Sequence, residues 1–325
     1  MLQPESAPLI AVVGPTATGK SELAVALARA LGGEVVGADS RQVYRGMVIG
    51  TAQPGPELLA AVPHHLIGFL APNAPFGLAT YLDLARDAIA GIRGRGHLPI
   101  LAGGTGQYVA ALVEDWAVPR VPPDAAFRAA LEAEAERLGR QALHDRLGRL
   151  DAEAAATIHP HNLRRVIRAL EVIKHTGRSF SAQRGSGNAA NVIALGLELP
   201  REALYARSDR RVEAMYAAGL LDEVRDLRAA GYARNLPSMA SIGYPEAWAA
   251  LSGEIGADEA IRRTQVATHR LARQQFTWFR RAGLRLHWLQ ADRPDLTEAA
   301  LARVRRLFEP PNEDCHAIHE DAWNG

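Results

Sequence analysis

Eight residues near the start of the chain, Gly14-Pro-Thr-Ala-Thr-Gly-Lys-Ser21, leave few folds open. They fit G-x-x-x-x-G-K-[ST] and sit where that pattern has physical meaning. The apolar run Leu9-Ile-Ala-Val-Val13 precedes them as a strand, and a helical pattern over 21–31 follows. In a strand–loop–helix of this kind, backbone N–H groups turn inward toward phosphate oxygens and the helix N-terminus adds partial positive charge. The candidate diphosphate-binding residues are therefore Gly14, Pro15, Thr16, Ala17, Thr18, Gly19, Lys20 and Ser21. Lys20 is placed to bridge two phosphates and the Ser21 hydroxyl to hold Mg²⁺. Gly14 and Gly19 let the backbone approach the phosphates closely. The motif implies a bound di- or triphosphate, nominally ATP. It does not imply hydrolysis, because any pyrophosphate ester satisfies it.

The lysine stands out against its background. Lys20 and Lys174 are the two lysines of the chain, and arginine supplies every other basic residue. A chain that writes arginine almost everywhere yet keeps lysine at position 20 asks for a compact ammonium there, not a planar fork.

Further strands are expected over 34–38, 98–102, 191–199 and 284–289, with a helix over 79–93. Strands alternating with helices argue for a parallel sheet covered on both faces. Val118-Pro-Arg-Val-Pro-Pro123 breaks that rhythm, and from 124 to about 174 the composition is helical throughout. A glycine- and serine-rich loop over 176–188 leads back to a strand, and helices resume from 201 to about 278, interrupted near 231–243. The expected architecture is an α/β P-loop-type parallel sheet core flanked by helices. Residues 1–117 and 190–308 form the core, a helical insertion domain occupies 118–189, and 309–325 is a polar tail.

The chain has 325 residues, 48% hydrophobic and 22% charged, with net charge +1. Those values suit a globular protein and exclude long intrinsic disorder. A single cysteine, Cys315, excludes a disulfide scaffold and a cysteine-based zinc site. No apolar run is long enough to span a membrane, and the first residues do not read as a secretory signal, so a cytoplasmic protein with no membrane partner is expected. The near-neutral total hides two basic segments. Residues 159–187 hold six basic residues against one acid, and 262–291 hold seven arginines and no acid. Each is either a solvated helix face or the footprint of a phosphate backbone.

Two other loops end strands. Gly103-Gly-Thr-Gly106 follows the third strand, and Ala38-Asp-Ser-Arg-Gln-Val-Tyr44 follows the second. Both would face the crevice at the carboxyl ends of the strands, where open α/β sheets bind ligands. Taken alone, Thr105 is either a turn residue or a ligand contact, and Asp39 either a helix N-cap or a reactive carboxylate. The adjacent His64 and His65 lack a partner at chelating spacing and read as packing residues. Of Phe276, Trp278 and Phe279, two are expected in the core.

In order along the chain, these blocks resemble the tRNA dimethylallyltransferases. The resemblance rests on 14–21, on Ala38-Asp-Ser-Arg-Gln-Val-Tyr-Arg45 running into Ile49-Gly-Thr-Ala52, on Pro63-His-His-Leu-Ile67 and on Gly103-Gly-Thr-Gly-Gln-Tyr108. It continues through His159-Pro160 with Arg164-Arg-Val-Ile-Arg-Ala-Leu-Glu171, through Ser241-Ile-Gly-Tyr244, and through Arg273-Gln-Gln-Phe-Thr-Trp278. The resemblance implies transfer of a dimethylallyl group from dimethylallyl diphosphate to N6 of the adenosine just 3′ of the anticodon, in tRNAs reading codons that begin with U. It implies Asp39 as the base that takes the N6 proton, with Thr105 and Lys20 as the other catalytic groups, and Arg211 as a further diphosphate contact. The tRNA contacts it implies are Asp39, Ser40, Arg41, Gln42, Thr105, Arg128, Arg164, Arg165, Arg168, Ser241, Gly243, Tyr244, Arg273, Gln274, Gln275, Thr277, Trp278 and Arg280. A monomer with Mg²⁺ at Ser21 is expected. Gly68 stands where many relatives carry Asp, and Gln107 where many carry Leu. With one cysteine the chain lacks the Cys/His zinc module of some eukaryotic relatives, which fits the bacterial type.

Two other functions compete. A small-molecule kinase uses the same cradle with a helical lid, and a non-catalytic RNA-binding module uses a nucleotide as a switch.

Overall fold

The computed structural model describes residues 8–183, 191–281 and 283–308. Cys315, the polar tail and residues 184–188 of the glycine- and serine-rich loop lie outside them.

In chain order, β1 (Leu9–Val13) leads into α1 (Lys20–Leu31) and β2 (Gly33–Gly37). The short α2 (Pro56–Ala61) and β3 (His64–His65) precede α3 (Leu78–Gly94), β4 (Leu98–Gly103) and α4 (Gly106–Val113). Four helices follow: α5 (Ala125–Leu138), α6 (Arg140–Leu150), α7 (Ala152–Thr157) and α8 (Leu163–Thr176). Then come β5 (Val192–Glu198), α9 (Arg201–Ala217), α10 (Leu220–Ala229), α11 (Tyr244–Leu251), α12 (Ala257–Arg281), β6 (Leu286–Gln290) and α13 (Leu296–Phe308).

The six strands form one parallel sheet in the order β3-β2-β4-β1-β5-β6. All five residues of β1 and of β2 are buried, as strands covered on both faces require. The α/β expectation holds, with the strands within about two residues of their predicted limits. The two-residue strand at His64–His65 was not foreseen. It is too short to carry a periodicity and exists because Val35 and Val36 of β2 supply a partner edge.

Register decides where the loops go. Val13 lies opposite Gly103 and Gly37 opposite Ala102. The chain leaving β1, β2 and β4 therefore emerges at one carboxyl edge of the sheet, carrying 14–19, 38–42 and 104–105 to the same place.

The chain divides into two compact units. The first holds residues 8–75, Leu84–Val109 and the described residues from Asn191 onward. Its core packs Ile10, Val12, Leu23, Leu27, Ile100, Leu195 and Leu197. The second holds Phe76–Asp83 and residues 110–183, so it starts earlier than the expected insertion and takes one more segment. Its own core is built from Leu131, Leu143, Leu147, Val166, Ile167 and Leu170.

Within the second unit a buried carboxylate ties α5 to α8. Glu171 is fully buried and accepts from Arg128 (2.8 and 2.7 Å), from Arg168 (2.5 Å) and from the Asp124 N–H (2.8 Å). Burial pushes its pKa up, but the Arg128 hydrogen bond and those from Asp124 and Arg168 outweigh it and bring the pKa to about 2. Arg128 and Arg168, expected to contact tRNA, are thus spent on an internal clamp. Arg164 and Arg165 are exposed on the same helix.

Candidate active site

The sequence of the phosphate loop dictates an unusual backbone. Gly14 has φ +145°, Ala17 +64° and Gly19 +83°. A Cβ on Gly14 would lie 2.5 Å from the Leu197 carbonyl oxygen of β5, so only glycine lets the loop leave β1 beside its neighbour. Gly19 caps α1 with no side-chain hydrogen bond, which leaves the first N–H groups of that helix facing the cavity without a side-chain acceptor. Thr18 is fully buried, and its hydroxyl donates to the Pro15 carbonyl at 2.9 Å. It braces the loop from within.

Lys20 Nζ donates to the same Pro15 carbonyl at 2.6 Å. Burial, reinforced by the charge of Arg211, brings its pKa down to about 8, while Asp39 and Glu22 draw it back up less strongly. Arg211, on α9, donates to the Thr16 hydroxyl at 3.2 Å, and burial lowers its pKa too. Two cations thus crowd one loop with no carboxylate salt bridge to either among the described residues, a charge balance that suits a phosphate-bearing ligand. Arg211, which the resemblance implied as a diphosphate contact, thus lies against the phosphate loop. Thr16 departs from expectation in one respect: its backbone N–H is already taken by Gln275 Oε1 at 2.8 Å.

The second glycine loop abuts the first. Ser40 N–H donates to Thr105 Oγ1 at 2.9 Å, and Thr105 N–H donates to the Ala38 carbonyl at 3.1 Å. Thr105 is therefore a fixed hydroxyl beside Asp39. Asp39 is no helix cap: it opens a turn in which its Oδ1 accepts from the Arg41 N–H at 2.8 Å. Arg41 reaches the Pro237 carbonyl at 2.7 Å. Gln42 Nε2 donates to the Thr51 and Ala52 carbonyls at 3.2 and 2.7 Å, which fixes its amide orientation and leaves Oε1 as its free polar atom.

A cavity of about 980 Å³ joins these groups. Lys20, Ser21, Asp39, Thr105, Arg207 and Arg211 line it together with the apolar Leu58, Val212, Met215, Ile242 and Leu271.

Other expected site residues fall differently. Tyr244 is fully buried and its hydroxyl donates to Glu223 at 2.6 Å, so its side chain is not offered to RNA. Ser241 is buried with its hydroxyl on the Ser238 carbonyl at 2.5 Å, and Gly243, at φ +96°, caps α11. On α12, Arg273, Gln274, Thr277 and Arg280 are exposed, whereas Gln275 and Trp278 are half-buried. Arg280 is engaged by Glu198 at 2.6 Å and lies over the Phe276 and Trp288 rings. Of the three aromatics, Phe279 alone is fully in the core. His65 Nε2 donates to the buried Glu34 carboxylate at 2.6 Å, beside Arg95 and His97. The histidine pair is thus a packing feature, and no metal-binding cluster of three His, Cys, Asp or Glu occurs among the described residues. Gly68, at φ +57°, occupies a left-handed turn position that Asp also tolerates, with a Cβ there 3.0 Å from the Gln53 amide oxygen, and Gln107 is exposed.

Glu223 escaped sequence reading. From α10 its carboxylate accepts the N–H groups of Val48, Ile49 and Gly50 at 2.8, 2.7 and 3.1 Å, holding the loop whose carbonyls orient Gln42. No local pattern marks it, because its partners lie more than 170 residues away in the chain.

Comparison with known proteins bears on this site. The family model for IPP transferase matches residues 42–282, and that for isopentenyl transferase matches 7–64. A tRNA dimethylallyltransferase of Roseiflexus sp. (strain RS-1) is 53% identical over 303 residues, covering 93% of this chain and 99% of that protein. One from Thermomicrobium roseum is 45% identical, covering 96% of this chain and 95% of its own. The crystal structure of the tRNA isopentenylpyrophosphate transferase of Bacillus halodurans superposes with TM-score 0.67 at 41% identity, over 92% of this chain and 97% of that one.

Proposed function

Because the chain belongs to the IPP transferase family, we propose that it transfers a dimethylallyl group from dimethylallyl diphosphate to N6 of the adenosine 3′ to the anticodon, in tRNAs reading codons that begin with U. The observation that carries this reading is that Lys20, Asp39 and Thr105 line one cavity together with the larger apolar side chains of Leu58, Val212, Met215, Ile242 and Leu271. A phosphate cradle alone serves any nucleotide. A cradle that shares its cavity with aliphatic groups and a carboxylate suits an allylic diphosphate facing a base. The names of the relatives, prenyl transfer to tRNA, decide against the small-molecule kinase.

The chemistry follows from the groups present. Lys20, Arg211 and the loop amides after Thr16 offset the negative charge that grows on the diphosphate as the allylic C–O bond breaks. The allyl carbon spreads positive charge over its three-carbon system, so that bond can break early. The adenine amine is a poor nucleophile, since its lone pair is delocalised into the ring. As the new N–C bond forms, the N6 proton passes to the Asp39 carboxylate and diphosphate leaves. Thr105 Oγ1, fixed by the Ser40 N–H, hydrogen-bonds the diphosphate near the reacting oxygen. The Ser21 hydroxyl lines the same cavity and fits a hard cation that takes its remaining ligands from phosphate and water. Bound Mg²⁺ would add charge stabilisation to the leaving group.

The adenine must leave its stack to reach the cavity, at a cost of a few kcal/mol that an RNA loop keeps small. The exposed Arg164, Arg165, Arg273, Gln274 and Thr277 supply phosphate and base contacts. The protein acts as a cytoplasmic monomer.

The test is Asp39→Asn, assayed with labelled dimethylallyl diphosphate and an anticodon stem-loop RNA. Label should enter the RNA with the unaltered protein while added ATP stays intact. The variant should lose about 10²–10⁴-fold in turnover and keep its RNA affinity. Undiminished transfer by the variant would remove Asp39 from the chemistry.

A further inference from the structure

We infer that Gln275 is a positioning residue, whose side-chain amide ties the phosphate loop to the second glycine loop and so sets Lys20 against Thr105 and Asp39. This role rests on the prenyl-transfer reading for its consequence, though not for its geometry.

Gln275 Oε1 accepts from the Thr16 N–H at 2.8 Å, and Nε2 donates to the Gly104 carbonyl at 3.0 Å. One partner is a donor and the other an acceptor, so a flipped amide would break both bonds. The bond partners belong to adjacent parallel strands' exits, β1 and β4, and Gln275 stands on the long helix α12. A single side chain therefore staples two loops just beyond the last paired residues of their strands, Val13 and Gly103.

The glycines of the second loop fit this role. A Cβ on Gly104 would lie 2.4 Å from Gln275 Nε2, so glycine is what admits the amide. A Cβ on Gly106 would lie 2.2 Å from the Trp278 ring, one turn further along α12. A Cβ on Gly103 would meet the Ala38 carbonyl oxygen at 2.2 Å. Residues 103–106 are thus clasped between the residue before Asp39 and one face of α12. From Gly104 the path to the reactive carboxylate is short: Thr105 holds the Ala38 carbonyl and the Ser40 N–H, the residues on either side of Asp39.

Gln275 belongs to a segment that resembles a tRNA-contacting run. Its neighbours Arg273, Gln274 and Thr277 are exposed, but it lies on the inward side of the helix between Ala272 and Phe279, both buried. Its amide is committed to the two loops.

The experiment compares the unaltered protein with Gln275→Met, which keeps the volume and removes both hydrogen bonds. Affinity for inorganic diphosphate with magnesium, affinity for an anticodon stem-loop RNA, and kcat with dimethylallyl diphosphate are measured on each. The expected result is a diphosphate Kd raised about tenfold, a kcat lowered about thirtyfold and an RNA Kd within twofold of the unaltered protein. Gly104→Ala, which pushes the amide aside, should lower kcat similarly, and the double variant should be no worse than the poorer single one. An RNA Kd that rises as far as kcat falls would make Gln275 an RNA contact and overturn the role, as would losses that multiply in the double variant. If Gln275→Met fails to fold by circular dichroism, Gln275→Asn, which withdraws the amide by one methylene, carries the same expectations. Failure of the unaltered protein to transfer any prenyl group would defeat the functional reading instead, and the two binding constants would still judge Gln275.

Discussion

The two glycine loops at the carboxyl edge of the sheet look alike in sequence and differ in what their glycines are for. In the loop over 14–19 both glycines take positive φ; Gly14 is also pressed by the Leu197 carbonyl oxygen, 2.5 Å from the Cβ it lacks, but the space above Gly19 is nearly open, with the closest described atom 3.9 Å from a Cβ placed there. That loop is shaped by its own backbone angles. In 103–106 none of the three glycines has positive φ, and each faces a neighbour within 2.4 Å of the Cβ it lacks. That loop is shaped around the protein. A glycine-rich turn after a strand is therefore not one kind of object, and the difference is between conformational freedom and close approach.

This contrast can be broken most forcefully at Lys20. Lys20→Ala should lower kcat by about 10²–10³-fold, the usual cost of removing one donor from a charge-stabilising site. Its thermal midpoint should stay level, because the ammonium is desolvated and its one bonded partner is a carbonyl that Thr18 also satisfies. Gly103→Ala should do the reverse. Its Cβ would overlap the Ala38 backbone at 2.2–2.7 Å, where nothing flexible can give way. A loss of about 3 kcal/mol in denaturant unfolding is expected, with residual activity following the folded fraction. If Gly103→Ala left stability untouched and abolished diphosphate binding, the two loops would be the same kind after all.

Much of this was legible in the residues. The phosphate loop declared itself because its function is written in local spacing: a buried strand, a cradle and a helix start within about twenty positions. The strands of the sheet were legible for the same reason, as short apolar runs ended by glycine. What could not be read was which side chains the tertiary structure spends. The family resemblance implied Arg128 and Arg168 as RNA ligands, yet buried Glu171 claims both. Tyr244 looks like an exposed recognition residue, yet Glu223 claims its hydroxyl. The helix at Gly106–Val113 was missed because it is eight residues long and almost wholly apolar, a run that period alone cannot tell from a buried strand. Glycine at 104 and 106 reads as a ligand loop until α12 is seen to lie against it.

Acidity offers a smaller and cleaner separation. Lys20 has its pKa brought down to about 8 by burial and by Arg211. It carries its charge below that pH and loses it above, so the cradle weakens as pH rises. In the free enzyme, kcat/KM for the diphosphate donor should fall above about pH 8, approaching tenfold per unit. The second loop, Gly103-Gly-Thr-Gly106, contains no titrating group, so stem-loop RNA affinity should not follow the same curve. A parallel fall in both would mean that the loops respond as one unit to the charge on Lys20.

The smallest expected effect tests how each loop is braced. Thr18 is fully buried and its hydroxyl donates to the Pro15 carbonyl, so the first loop is braced from inside by its own side chain. Gln275 adds a brace from outside, which ties the second loop at Gly104 to the first at Thr16. Thr18→Val keeps the shape and removes one hydrogen bond, while the Pro15 carbonyl keeps Lys20 Nζ at 2.6 Å and is not left without a donor. The cost should therefore be that of one hydrogen bond whose acceptor stays satisfied, about 1 kcal/mol, rather than the larger penalty of an orphaned buried carbonyl. Because Lys20 is then the sole donor to Pro15, it has more to give up in turning toward a diphosphate, and the donor KM should rise about two- to threefold with kcat unchanged. A donor KM that stayed level while kcat fell would place Thr18 in the same alignment chain as Gln275, and the inside and outside braces would no longer be distinct.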